Sequence, residues 1–370
     1  MESVQDCDAE MKCGFSLCSD DFWEKKRTGL PPEASAELLS KAENALKEPE
    51  LSVIQKQLHG LTDDPHDYVS LSAYDWPNPN TPNGMPWIKK DGVLNPDYLK
   101  SDAIPMEKMV NSVGFLTAAA RLTGRMEFAE KAGRFLKCWF LDPETAMNPH
   151  LKYAQYVPGH DKGSPWGLID SARFSALLES VVSLPFNKEW TPDDLESLKV
   201  WFMKYFIWLI SDPFPVQEDE LGRTNHGTWY DVQYVSITMF LKNPDLALRH
   251  IRKRVLPRLD LQFLNSGEMP FELYRTRSFS YSVFNLTAWS RLCAYGRKLD
   301  FDLWDRPSND NATVHKAFDY LKPYLDGEKK WIYPELSGKI PAARPLLALV
   351  NDFIQQVEGF EPGPELPCIF

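Results

Sequence analysis

The chain lacks the marks of several large protein classes. Its six cysteines, Cys7, Cys13, Cys18, Cys138, Cys293 and Cys368, form no CxxC pair, so a zinc site has no basis. There is no HExxH and no calcium-loop pattern either; neither a metal nor another cofactor is expected. No run approaches the roughly 18 apolar residues of a membrane span. The N-terminus "MESVQDCDAEMKCGF" has no basic start followed by an apolar stretch, so no signal peptide is visible and a soluble protein without a membrane partner is expected. Basic residues are also short: 41 Lys and Arg stand against 52 Asp and Glu, a formal charge of -11. That excludes general nucleic-acid binding, which needs a cationic footprint to displace counterions.

What is present is a globular balance, 43% hydrophobic and 25% charged, and hence a large buried core. Aromatic residues reach 13%, with 12 Trp, and such rings serve both cores and flat platforms for sugars. Cys138 and Cys293 fall within helical patterns and read as buried thiols. The three N-terminal cysteines could pair in an oxidising compartment. "NLT" at Asn285 and "NAT" at Asn311 fit the glycosylation pattern, although Asn285 sits mid-helix.

The composition is even throughout, so residues 1–370 are read as one domain. Prolines followed by good helix formers predict a helix from Pro31 to Leu58. Met106, Met109, Val110, Val113 and Leu116 form one apolar stripe and Phe128, Ala132, Phe135, Leu136 and Trp139 another. Thr123 and Gly124 break them into a helical hairpin. Further helices are expected over "LIDSARFSALLESVVSL", from the Thr191-Pro192 start to Ile210, and over Pro244–Leu264, Ser278–Leu299, Thr313–Leu325 and Arg344–Val357. Convincing strands are few. Paired helices separated by long polar loops, the longest covering residues 66–105, indicate an all-α architecture such as an open solenoid or an α/α toroid.

Four stretches gather polar and aromatic groups at helix edges or in loops: "SLSAYDWPNP" with "GMPW", "MNPHLKYAQYVPG", "GRTNHGTWYD", and "ELYRTRSFSYSVFN". Arg277 and Tyr281 lie one helical turn apart and can share a face. Taken singly, each has a structural reading. The arginines can pair with surface acids, Tyr281 can be a core residue with a wet hydroxyl, His226 a hydrogen-bonded structural histidine, and Trp76, Trp87 and Trp166 pins for loops. Yet Arg223, Asn225 and His226 lead into an apolar helix, where each is costly to bury without a partner.

Together these strings resemble the alginate lyase superfamily. "TNHGTWYDVQ" and "ELYRTRSFSYSVFNL" are similar to its hallmark motifs, "DYVSLSAYDWPNPNTPNGMPWIKKDGVLNP" to its N-terminal loop, and "LDPETAMNPHLKYAQYVPG" with "GLID" to its middle section. The resemblance spans residues 66–305 in order. It implies an α/α toroid, or incomplete barrel of paired antiparallel helices, whose long loops line a cleft. It further implies a polysaccharide lyase that cleaves a (1,4)-linked polyuronate, alginate (polymannuronate included) or glucuronan, by β-elimination and leaves 4,5-unsaturated uronate ends.

Such a reaction must neutralise the uronate carboxylate, remove the C5 proton and protonate the leaving oxygen on C4. Asn225, His226 and one arginine are suitable donors to the carboxylate. Two arginines compete for that place, and Arg275 is preferred, with Arg277 left to hold a structural acid. By similarity Tyr281 is the acid and a candidate base, provided a nearby arginine lowers its pKa; His226 is the alternative base. Since Asn225 and His226 are adjacent, both reach one pocket only if the backbone there is not yet helical, with Gly227 as the break. Substrate-binding candidates are Tyr74, Trp76, Trp87, Tyr153, Gln155, Tyr156, Arg223, Trp229, Tyr230 and Arg277. Lys89, Lys90 or Lys152 could join the arginines and His226 in making a cationic cleft within an acidic protein.

Two rival readings use the same residues. A glycoside hydrolase needs two positioned carboxyl groups, for which Asp170, Asp231 and Glu272 are available. A non-catalytic helical scaffold that binds carbohydrate or protein needs neither Tyr281 nor His226. The resemblance also suggests export to the periplasm or the medium.

Overall fold

Helix ends follow local chemistry in the computed structural model, which describes residues 16–160 and 162–336. Helix α1 spans Asp20–Gly29 and is capped by the Ser19 hydroxyl; α2 spans Pro32–Lys47. The helix expected to reach Leu58 stops at Lys47 because Glu48 precedes Pro49 and is held extended, φ -69° and ψ 141°. The expected hairpin forms from α3 (Ala103–Thr123) and α4 (Met126–Leu136), which runs on into a π-turn at Lys137–Leu141. Gly124 ends α3 in the left-handed region at φ 73°, a conformation glycine adopts without strain.

Helix α5 (Phe174–Ser183) is entered through a 3-10 turn at Pro165–Ser171, so "LIDS" is tighter than the α-helix expected there. Helix α6 (Pro192–Ser211) starts as predicted, with Thr191 and Asp194 capping each other's backbone. Then come α7 (Pro213–Leu221) and α8 (Asn225–Phe240). The single helix expected over Pro244–Leu264 is split into α9 (Pro244–His250), a π-turn at Ile251–Val255, and α10 (Leu256–Gln262). Pro257 lacks the N–H needed to continue the regular ladder there. The described chain closes with α11 (Pro270–Leu273), α12 (Ser278–Lys298) and α13 (Val314–Leu325). The helix expected over Arg344–Val357 lies outside the described residues.

These helices pack as an α/α toroid. Helix α3 touches α2, α4 and α5, while α8 is packed by α5, α6, α7, α9 and α12. Tyr230, Ile237 and Phe240 of α8 belong to one large apolar cluster, and Trp229, Val232, Val235 and Met239 to the other. A helix buried all round must also satisfy its polar groups internally. Asp231 is paired with Arg258 and, at 2.7 Å, with His250; Gln233 accepts from Ser171 at 2.8 Å and Tyr205 at 3.0 Å.

The long loops are tied together by four short strands. β1 (Val69–Leu71) runs parallel to β4 (Tyr153–Tyr156), and β2 (Asp75–Trp76) antiparallel to β3 (Ile88–Lys89). Two segments far apart in sequence thus form one rim. Asn285 is buried in α12 and donates to Gln262 at 3.0 Å, so its sequon is inaccessible. Cys18 and Cys293 are buried and Cys138 half-buried. Cys7, Cys13 and Cys368 fall outside the described residues. No described helix is long and apolar enough to cross a membrane.

Candidate active site

A cleft of about 660 Å³ opens where the first turn of α8 meets Arg275, Tyr281 and the strand-tied loops. Asn225 and His226 both line it. They do so from within the helix, because α8 begins at Asn225 after Thr224 has held an extended φ of -123°. The expected break at Gly227 is therefore absent. First-turn residues project past the end of the helix, which suffices to bring neighbouring side chains to one pocket. Gly227 answers a different need: a β-carbon there would lie 2.5 Å from Gly222 Cα and 2.8 Å from Arg258 Nη1.

The Asn225 amide nitrogen donates to both oxygens of buried Glu272, at 2.9 and 3.1 Å, and its backbone N–H donates to the same carboxylate at 2.6 Å. Glu272 thereby caps a helix whose own Thr224 side chain does not. Burial, then the charges of Arg275 and Lys89, pull the His226 pKa down to about 4. Its imidazole is therefore neutral at neutral pH and does not add to the cleft's positive charge.

Arg275 is fixed by Asp91, with Nη2 donating at 2.7 Å and Nε at 3.2 Å. Its guanidinium lies 4.1 Å from the centre of the Tyr281 ring. The expectation that an arginine lowers the Tyr281 pKa gives the right sign for that one contribution and the wrong net result. Burial dominates, with Tyr74 adding to it, and the phenol is pushed well above its ordinary value. The hydroxyl is buried with no hydrogen-bond partner of good geometry among the described residues.

Of the substrate-binding candidates, Tyr74, Gln155 and Arg223 line the cleft together with Lys89. Gln155 is committed to the protein: its nitrogen donates to Asp170 at 2.8 Å and its oxygen accepts from Ala73 N–H at 3.1 Å. Trp76, Trp87, Tyr153 and Tyr156 are half-buried in the surrounding loops and do not line it. Trp229 and Tyr230 are core residues, 5% and 3% exposed, the first packed on Phe284 and the second on His250, and neither lines the cleft. Arg277 turns to Glu335, at 4.0 Å, away from the cleft. Lys90 and Lys152 do not line the cleft, whereas Arg173 does.

Sequence reading also passed over Asp91 and took Trp166 only as a pin for a loop. Trp166 is 38% exposed, lines the cleft and carries Lys89 5.0 Å over its ring. An exposed Trp between Pro165 and Gly167 was the signal that could have found it. The carboxylates that a hydrolase would need are all engaged: Asp170 with Ser70, Tyr68 and Gln155, Asp231 with Arg258 and His250, and Glu272 with Asn225.

A helical toroid with a loop-lined cleft, similar across the chain to alginate lyases, marks the protein as a polysaccharide lyase. The chain belongs to the alginate lyase family, whose model matches residues 54–331. An alginate lyase from Bacteroides ovatus superposes with a TM-score of 0.85 at 32% identity, over 94% of this chain and 95% of that one. Alginate lyase A1-III from Sphingomonas species A1 shares the fold, with a TM-score of 0.53 at 13% identity over 91% and 92% of the two chains. A variant of A1-III complexed with a tetrasaccharide gives 0.56 at 12% identity over 91% of each. No curated protein matches the chain.

Proposed function

We propose that the protein depolymerises a (1,4)-linked polyuronate, alginate or glucuronan, by β-elimination. Asn225 and Arg275 hold the carboxylate of the sugar whose C5 proton is removed. His226 takes that proton, the C4–O bond breaks as the C4–C5 double bond forms, and Tyr281 delivers a proton to the departing glycosidic oxygen. The products are a 4,5-unsaturated uronate at the new non-reducing end and an ordinary reducing end on the other fragment.

The observation that carries this reading is geometric: Asn225, His226, Arg275 and Tyr281 line one cleft. His226 is held neutral and Tyr281 protonated, so base and acid are both in their working forms at neutral pH. Preorganised donors that neutralise the carboxylate add to this, each accelerating the reaction by about 10² to 10³-fold. The relatives named above support alginate as the first polymer to try.

Purified protein mixed with polymannuronate, polyguluronate and glucuronan should raise ultraviolet absorbance from the conjugated double bond on at least one of them. New reducing ends without that absorbance would mean hydrolysis. Neither signal on any polyuronate would end the lyase reading.

A further inference from the structure

Glu272 is a buried ionisable group behind the cleft, joined to its lining through Asn225, that the mechanism above leaves unused. It is 1% exposed, and Asn225 is equally enclosed. Its two oxygens together receive the backbone N–H and the side-chain nitrogen of Asn225. An amide has a donor side and an acceptor side. With its nitrogen engaged by Glu272, the Asn225 amide has its oxygen left to offer a ligand in the cleft it lines. An amide oxygen beside a uronate carboxylate repels it, and more so as charge moves onto that carboxylate during C5 deprotonation.

Protonated Glu272 reverses the arrangement. Its O–H donates to the Asn225 amide oxygen, its other oxygen still accepts the backbone N–H, and rotation about Cβ–Cγ turns the NH₂ group toward the sugar. We propose that Glu272 is a proton-dependent positioning residue: it sets which side of the Asn225 amide meets the uronate, and the productive form carries one proton on Glu272. This rests on the lyase reading above. The proton comes from solvent, and the incoming uronate anion favours its uptake just as its uptake favours the uronate.

The surroundings are suited to such a change. Burial raises the Glu272 pKa most strongly; the backbone and side-chain hydrogen bonds from Asn225 and the charge of Arg275 lower it, Asp91 raises it again, and the result is about 7. The titratable side chain on the facing first turn of α8, His226, is neutral in this range.

The test is the pH dependence of kcat/KM for the intact protein and Glu272→Gln, followed by double-bond absorbance. For the wild type, kcat/KM should fall about tenfold per pH unit on the alkaline side of the Glu272 titration. In Glu272→Gln the amide nitrogen stands in for the carboxylic O–H, so activity should persist and the alkaline fall should vanish. A structural role alone predicts an unchanged profile shape. The proposal is overturned by a wild-type profile flat through pH 9, by the same alkaline fall in Glu272→Gln, or by a folded but inactive Glu272→Gln. If Glu272→Gln does not fold, Glu272→Asp replaces it, and a fall that stays where it was also overturns the proposal. Absence of any double-bond absorbance in the wild type tells against the lyase reading itself, which separates the two failures.

Discussion

Arg275 covers the ring of Tyr281 at 4.1 Å while its Nη2 donates to Asp91 at 2.7 Å, so one side chain links Tyr281 to the loop that lines the cleft with Asp91. Arg275→Ala should raise KM and lower kcat together, because it removes a donor to the carboxylate and the support under Tyr281. The loss in kcat/KM should be about 10² to 10³-fold. Arg275→Lys should rescue little, since an ammonium cannot make the forked pair with Asp91. Steady-state kinetics of both variants check this; near-complete rescue by lysine would mean that charge alone matters.

Tyr281→Phe keeps the ring under Arg275 and deletes only the hydroxyl. Turnover should become undetectable while polymer binding stays within a few-fold of wild type. Binding calorimetry beside absorbance assays separates the two quantities. Near wild-type turnover would remove Tyr281 from the role of acid.

The His226 pKa is depressed to about 4, from an ordinary 6.5. The neutral form required of a base therefore persists down to that pH, and kcat/KM should fall about tenfold per unit only below it. The same shift has a stability consequence of fixed sign. Between pH 6.5 and 4 the unfolded chain binds a proton at this residue and the folded chain does not, so the contribution present above pH 6.5 is lost on acidification. His226→Gln should lose the acid limb of any residual activity and flatten the acid fall in melting temperature.

Trp229 and Trp166 should behave oppositely. Trp229→Ala leaves a cavity in the core and should cost about 3–5 kcal/mol in a denaturant melt. Trp166→Ala should leave stability nearly unchanged and weaken polymer binding about threefold to tenfold, the worth of one aromatic contact. An exchange of these two phenotypes would contradict the placement of the cleft.

Helix hairpins and starts were legible in the chain because they rest on short-range signals: Thr191 before Pro192, Gly124 between two apolar stripes. Asn225, His226, Arg275 and Tyr281 were legible through their motifs, and the structure gathers them in one cleft. Side-chain direction was not. Trp229 and Tyr230 belong to the same motif, but α8 is buried all round, and the packing of α12 and α9 encloses them in two apolar clusters. Partners distant in sequence were equally hidden, as with Asp91 for Arg275 and Glu272 for Asn225. Proton states followed from burial, which no local pattern records: proximity to arginine suggested an acidified tyrosine, and desolvation prevails.

The most direct measurement of the central claim is the mass of the fragments released from a saturated oligouronate of defined length. Elimination predicts that the fragment bearing the new non-reducing end lacks one water relative to the hydrolytic product and absorbs in the ultraviolet, and that Tyr281→Phe releases neither fragment. Fragments that are all of hydrolytic mass, or elimination that continues undiminished in Tyr281→Phe, would contradict the account.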